Sequence, residues 1–329
     1  MSDRVTTVLV RGDDGALGER VTRLLADRHD LSIVDGDAAD GPVDVVVDLE
    51  VGDHDRIGAR SASVTSFGDG LLDELVRRSP THLVLVSSAL VYGAYRNNPV
   101  PLTETAIVRP EHDFVFARQL ASVELAVDDW RRAREGRAVS VLRPAIVMSG
   151  ESGSADGTSA LARALAAGYG RRLDREDPGA QFVHLDDLAA AVVHCLVDRV
   201  DGVVNVAPDS WVPGDRVRAL GGEWLRLPLP DRAVEVLTSL AWRLQRGPIP
   251  PGLEAYTRAW WVVANDRLRA TGWRSTVTNE QGYVEGTEVA GWADVTPKRR
   301  QEVSLALGVV ALVSVVTVVL GLVRRRLRR

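Results

Sequence analysis

Val8-Leu9-Val10-Arg11-Gly12-Asp13-Asp14-Gly15-Ala16-Leu17-Gly18 is the stretch that decides the fold. An apolar run stops at three glycines spaced G-x-x-G-x-x-G. A helical pattern then begins at once, with Leu17, Val21, Leu24 and Leu25 on one face. This reads as a strand, a tight turn and a helix whose N-terminus faces the turn. Glycine accepts positive φ and lets a ligand approach the backbone, and the amides and dipole at a helix start favour a phosphate. The stretch therefore predicts an α/β fold of the dinucleotide-binding type, with Gly12, Gly15, Leu17 and Gly18 forming the phosphate turn. A strand–helix turn that binds nothing is the competing reading, because Asp13 and Asp14 put negative charge beside the proposed phosphate site.

Outward from that turn the chain alternates strands and helices, which implies a parallel sheet covered on both faces. Strands are expected at Thr6 to Val10, Ile33-Val34, Val43 to Leu49, Leu83 to Ser87 and Val139 to Leu142. One helix carries Leu71, Leu72, Leu75 and Val76. A longer one from about Phe116 places Leu120, Val123, Val127 and Trp130 at helical spacing. The segment between Val34 and Val43 is short, so one strand and its helix are expected to be lost or compressed there. Gly150 to Gly157 reads as a Gly/Ser-rich loop.

The chain has 329 residues, 45% of them apolar, and a net charge of −5, which argues against a general nucleic-acid binder. Cys195 is the single cysteine, so no internal disulfide forms, and a reducing compartment is expected. It falls at helical spacing with Leu188 and Val192 and reads as core. Lys298 is the only lysine.

Met1 to Arg11 runs directly into the first strand, and no secretory signal is read there. Val303 to Val323 is uncharged and strongly apolar, about 30 Å as a helix and so long enough to cross a bilayer. Lys298-Arg299-Arg300 precede it, and Arg324, Arg325, Arg326, Arg328 and Arg329 follow. The expectation is a C-terminal transmembrane helix over 303–323, a basic tail over 324–329, and a main domain over 1–297 on the cytoplasmic side of the cell membrane.

Several motifs, in order, resemble the extended short-chain dehydrogenase/reductase family, in its NAD-dependent epimerase/dehydratase branch. They are the strand-GxxGxxG, Val86-Ser87-Ser88-Ala89-Leu90-Val91-Tyr92-Gly93, Leu142-Arg143-Pro144, Phe182-Val183-His184-Leu185-Asp186-Asp187-Leu188, Asn205-Val206, and Arg267-Leu268-Arg269-Ala270-Thr271-Gly272-Trp273. The resemblance implies a Rossmann-like doubly wound parallel sheet with a small C-terminal substrate lobe, contributed mainly by residues 150–180 and 207–290. It implies NAD or NADP as cofactor, a dinucleotide or nucleotide-sugar ligand, and a homodimer as a candidate assembly. Asp35, at the end of the second strand, would accept the adenosine ribose hydroxyls; a turn residue in Asp35-Gly36-Asp37 is the plainer reading.

The departures bear directly on chemistry. The family's acid–base work needs a tyrosine and a lysine four residues later. Alignment puts Phe116 and Leu120 at those positions, or Phe114 and Arg118 in a register two residues earlier. Neither register supplies a phenol, and none supplies a lysine. A phenyl ring transfers no proton, and arginine stays protonated. Ser88 is the one retained candidate, at the position of the helper hydroxyl. Asp48-Leu49-Glu50-Val51 stands where the family carries a small neutral stretch, which places two carboxylates near the phosphates, and Thr65 stands where an asparagine often fixes the active-site helix.

Other groups carry less. Asp35, Asp37 and Asp40 lack the spacing of a calcium loop, Gly52-Asp53-His54-Asp55 reads as a polar loop, and no metal site is expected. His184, Asp186 and Asp187 read as packing rather than as a triad. Trp211, Trp224, Trp242, Trp260, Trp261 and Trp273 either line a pocket or lie at a bilayer surface. Three functional readings follow. The leading one is a membrane-anchored ligand-binding protein on an epimerase/dehydratase scaffold without tyrosine–lysine catalysis, in effect a pseudoenzyme. The second is an active epimerase or reductase using another donor, such as Ser88 or Tyr92. The third is a non-enzymatic scaffold.

Overall fold

The computed structural model describes residues 5–34, 41–53, 64–149, 158–169, 178–220 and 252–287. Eight strands and eight α-helices are described. They are β1 (Thr6–Arg11), α1 (Ala16–Ala26), β2 (Leu31–Val34), β3 (Val45–Asp48), α2 (Val64–Arg78), β4 (His82–Val86), α3 (Val115–Arg132), β5 (Ala138–Pro144), β6 (Ile146–Met148), α4 (Ala160–Gly168), β7 (Phe182–His184), α5 (Leu185–Val197), β8 (Gly202–Val206), α6 (Gly214–Leu220), α7 (Asp266–Ala270) and α8 (Asn279–Thr287). Two 3-10 turns, Ala89–Tyr92 and Leu253–Thr257, complete them.

The main sheet has six parallel strands in the order β2-β1-β3-β4-β5-β8, and β6 pairs with β7 in a separate two-stranded parallel sheet. Alternation along each strand assigns the two faces. Leu9, Val46, Leu83, Leu85 and Val141 pack with Leu71 and Leu75 of α2 and Leu120 and Val127 of α3. Val8, Val10, Val45, Val47 and Val84 pack with Val21 and Leu25 of α1 and Leu188, Val192 and Cys195 of α5. Two covered faces require near-continuous apolar strands, and β3 and β4 are buried along their whole length. Cys195 is core, its thiol pushed up to about 12 by burial.

β2 is the described edge on its side of the sheet and is only partly covered. In the common doubly wound order another strand lies outside it. Here ten residues separate Val34 from Val45, too few for the usual strand-and-helix excursion. Among the described elements β3 is the next after β2 and lies on the other side of β1, with Leu9 paired to both Val34 and Val46.

The 303–323 run, the 324–329 tail, Asp35, Asp37, Asp40, His54, Asp55, Trp224, Trp242 and the 150–157 loop lie outside the described residues, as does the side chain of Thr65. Among the described residues no helix is long and apolar enough to cross a membrane, and no three His, Cys, Asp or Glu side chains gather as a metal site.

Candidate functional site

The carboxyl ends of β1, β3, β4 and β5 open into a cleft of about 410 Å³, where an α/β sheet ordinarily places its ligand. Its base is the glycine turn. Gly12 ends β1 at φ +86°, a left-handed conformation that L side chains adopt rarely. Gly18 sits one turn into α1, where an added Cβ would overlap the Gly12 carbonyl oxygen, so the helix and the turn touch backbone to backbone. Gly15 caps α1 with extended geometry, φ −94°. Positive φ is therefore confined to Gly12 and is not a property of Gly15. A Cβ at Gly15 would meet only ordinary contacts, 3.7 Å to the Gly12 oxygen and 3.9 Å to an Asp53 carboxylate oxygen. Gly15 is bare because of what it faces, the cleft, rather than because of its own torsions. Gly12, Gly15, Leu17 and Gly18 all line that cleft.

The charge at the turn differs from the sequence expectation. Asp13 and Asp14 are exposed and lie outside the cleft lining. Asp48 and Glu50 do not crowd the cleft either. Arg11, in register beside Asp48, pairs with both: its Nη1 with the Asp48 carboxylate and its Nη2 with Glu50 at 2.9 Å. Asp48 is fully buried and also accepts the Val51 amide at 3.0 Å. The strand-end arginine turns these carboxylates inward, and Asp53 is the acidic side chain that lines the cleft.

Burial raises the Asp48 carboxyl to about 6 in spite of Arg11. A carboxyl whose folded pKa lies above its unfolded value takes up its proton earlier in the folded state. Acidification from pH 7 toward pH 4 should therefore stabilise the fold through this group. Denaturation midpoints followed over that window should show the gain in the parent chain and its absence in Asp48→Asn. Identical pH profiles would show that Asp48 is not desolvated.

Beyond the turn, the cleft runs past Ser87 and Ser88 at the end of β4 to Phe116 on α3. Phe116 lines the cleft and Leu120, one turn on, is fully buried in the core, whereas Arg118 is exposed and Phe114 is packed against Tyr256 away from the cleft. Ser88 lines the cleft. Its Oγ accepts the Leu90 amide at 3.3 Å as the cap of the 3-10 turn, and the described residues lining the cleft include no tyrosine and no lysine.

Tyr92 is not available as a proton donor. It is buried outside the cleft lining, its hydroxyl donates to Asn205 Oδ1 at 2.9 Å, and burial pushes its pKa above the usual phenol range. It belongs to a polar network that sequence reasoning missed. The Ser87 hydroxyl donates to Glu124 Oε1 at 2.5 Å, the Arg143 guanidinium donates to both Glu124 oxygens, and Arg143 stacks over the Tyr92 ring at 4.7 Å. Asn205 further joins β8 to the backbone carbonyls of Leu102 and Ala264. The network fixes the β4 and β5 ends behind the cleft wall.

His184, Asp186 and Asp187 are structural. His184 caps α5, Asp186 pairs with Arg20 of α1 at 2.5 Å, and Asp187 accepts from Thr276 N, Thr276 Oγ1 and Val277 N at 2.7–3.0 Å. Of the tryptophans, Trp261 lines the cleft, Trp273 is core, and Trp211 and Trp260 meet edge to face.

Solved structures of similar fold include RMD from Pseudomonas aeruginosa in complex with NADPH. It shares 18% identity at a TM-score of 0.57, over 85% of this chain and 98% of that one. UDP-glucose 4-epimerase from Thermotoga maritima with UDP-glucose gives 16% and 0.58, over 85% and 97%. The human epimerase family protein SDR39U1 with NADPH gives 19% and 0.58, over 85% and 99%. Identities this low establish a shared fold. No curated protein sequence matches the chain. The profile of the NAD dependent epimerase/dehydratase family matches residues 27–207, more than half of the sequence, and the chain belongs to that family.

Proposed function

We propose that this protein holds a nicotinamide dinucleotide, NAD(H) or NADP(H), in the cleft and works as a ligand-binding or regulatory protein without tyrosine–lysine acid–base chemistry. The observation that carries this reading is Phe116, which lines the cleft with Leu120 buried behind it. The glycine turn fits the dinucleotide: Gly15 lines the cleft without a side chain, and Gly18 lets α1 start against the turn. The backbone of Gly15, Ala16 and Leu17, which line the cleft, would hold the pyrophosphate. Bound there, the cofactor supplies a hydride donor or acceptor. Phe116 can wall the site but cannot move a proton.

The test is a fluorescence titration of the full chain in detergent micelles with NADPH. Wild type should bind saturably, and Gly15→Val should bind at least about tenfold more weakly, because its branched side chain fills the cleft side of the turn. Equal affinity in the two proteins, or no binding by wild type, defeats the reading. The alternative is an enzyme whose donor is Ser88, favoured by the place of that hydroxyl on the cleft wall. It requires turnover that disappears in Ser88→Ala.

The proposal extends to location. The 303–323 run would anchor residues 1–297 on the cytoplasmic face of the membrane. The full chain should stay with membranes through a high-salt wash. Release by salt alone would mean that the flanking arginines, not the apolar run, hold it.

A further inference from the structure

We infer that the domain lies against the lipid bilayer at the β8 edge of its sheet, through a surface made by the 95–109 loop and the Trp211–Trp260 pair. The inference rests on the reading of 303–323 as a membrane anchor and adds which face of the domain meets the lipid.

The 95–109 loop holds three apolar side chains in water: Ile107 at 82% exposure, Val100 at 44% and Val108 at 38%. Single exposed apolar residues are ordinary, but three within one short loop mark a contact surface. The loop is pinned along the segment that carries Trp260. Leu102 donates its amide to the Val262 carbonyl and accepts the Ala264 amide, both at 2.8 Å, and Asn98 Nδ2 donates to the Trp260 carbonyl at 2.9 Å. Two bonds set it at the β8 edge: Glu104 accepts the Asn205 amide at 3.0 Å, and Asn205 Nδ2 donates to the Leu102 carbonyl at 3.3 Å. Glu104 is thereby turned inward, while Arg96 and Arg109 are exposed and suit an anionic leaflet.

Trp260 meets Trp211 edge to face with ring centroids 6.0 Å apart, and both are half-buried. The pair closes over Gly179, where an added Cβ would lie 2.4 Å from the Trp211 ring and 2.7 Å from that of Trp260. A half-buried indole, apolar in body and polar at its N–H, is at home at the headgroup level.

The course of the chain selects the bilayer as the occupant of this surface. Asn279, which opens α8, donates to the Asp209 carbonyl at 3.0 Å, so the last described helix starts close to Trp211. From Thr287, where α8 ends, fifteen residues lead to Val303. Their span is at most about 50 Å, so the anchor keeps the surface within reach of the lipid.

The experiment uses the full chain in vesicles of phosphatidylcholine and phosphatidylglycerol. Ile107→Cys and Val100→Cys each carry a bimane label, with Ile33→Cys on β2 as the reference at the opposite edge of the sheet; the native Cys195 is buried and takes no label. Depth is read by quenching with lipids that bear a nitroxide at a shallow or a deep acyl position. Labels at 107 and 100 should lie about 5–10 Å into the headgroup and acyl boundary, and the label at 33 should stay in water. Equal quenching at 33 and 107 overturns the inference. So does a label at 107 that is shielded from water yet untouched by the nitroxide lipids, which would put a second copy of the chain on this surface. Flotation of the same vesicles after a high-salt wash reports the anchor separately. A chain that floats with 107 and 100 in water keeps the anchor and loses this inference, and a chain that does not float loses both.

Discussion

Replacing Glu124 with alanine is expected to destabilise the fold by about 3–5 kcal/mol, as removal of one partner from a buried ion pair does. Glu124 is 8% exposed and Arg143 is 4% exposed. Arg143 Nη2 donates to Glu124 at 2.5 Å and Nε to both carboxylate oxygens at 3.2 Å. Burial works against the Arg143 charge, yet the neighbouring carboxylate holds its pKa above the usual guanidinium range. Arg143 Nη1 has no hydrogen-bond partner in the intact network, so truncating Glu124 leaves the guanidinium with Tyr92 alone beside it. Ser87 would lose its acceptor as well. Glu124→Gln keeps the shape and an acceptor for Ser87 and should cost less. Urea midpoints of the parent and both variants decide the matter, and a loss below about 1 kcal/mol for Glu124→Ala would show that the pair is effectively solvated.

The second large effect is at Leu120. Restoring the family's pair as Phe116→Tyr with Leu120→Lys should yield no turnover of a nucleotide sugar with either nicotinamide cofactor, and it should destabilise the chain. Leu120 is fully buried among Leu71, Val123 and Val127, in the core that α2 and α3 share with the sheet. A lysine there must either lose its charge to desolvation or disrupt that packing, at a cost of about 3 kcal/mol or more. Phe116→Tyr alone reaches the cleft wall and should leave stability nearly unchanged. Acid–base catalysis contributes only when substrate and cofactor are already held, so the tyrosine by itself should be silent. Turnover in the double variant, measured by product formation, would show that position 120 opens to the cleft.

These two results bear on what the sequence made legible. Period-2 and period-3.6 patterns read locally, so the sequence places β1, α1, β4, α3 and β5 within a few residues. Contacts between distant segments were not legible. Asp48 and Glu50 looked like charges aimed at a phosphate because their partner, Arg11, lies 37 and 39 positions earlier. The signal was present in the strand register, since Arg11 and Asp48 end neighbouring parallel strands. Tyr92 was a plausible donor by residue type and turned out to be committed to Asn205, 113 positions away. Glu124 offered a clue of its own, as a lone carboxylate beside the apolar Leu120–Val127 stripe, which asks for a buried cation. The spacing of the three glycines does not say which of them needs a positive φ: Gly12 has it and Gly15, at φ −94°, does not.

In the proposed function the cleft seats a dinucleotide on the glycine turn, and Phe116 stands where a proton donor would be. A crystal structure of the full chain grown with NADPH measures this directly. The pyrophosphate is expected on the backbone of Gly15, Ala16 and Leu17, and the nicotinamide beside the Phe116 ring with no tyrosine or lysine side chain within hydrogen-bond reach. A dinucleotide bound away from the Gly12–Gly18 turn, or a tyrosine or lysine carried into contact with the nicotinamide ribose, would contradict it.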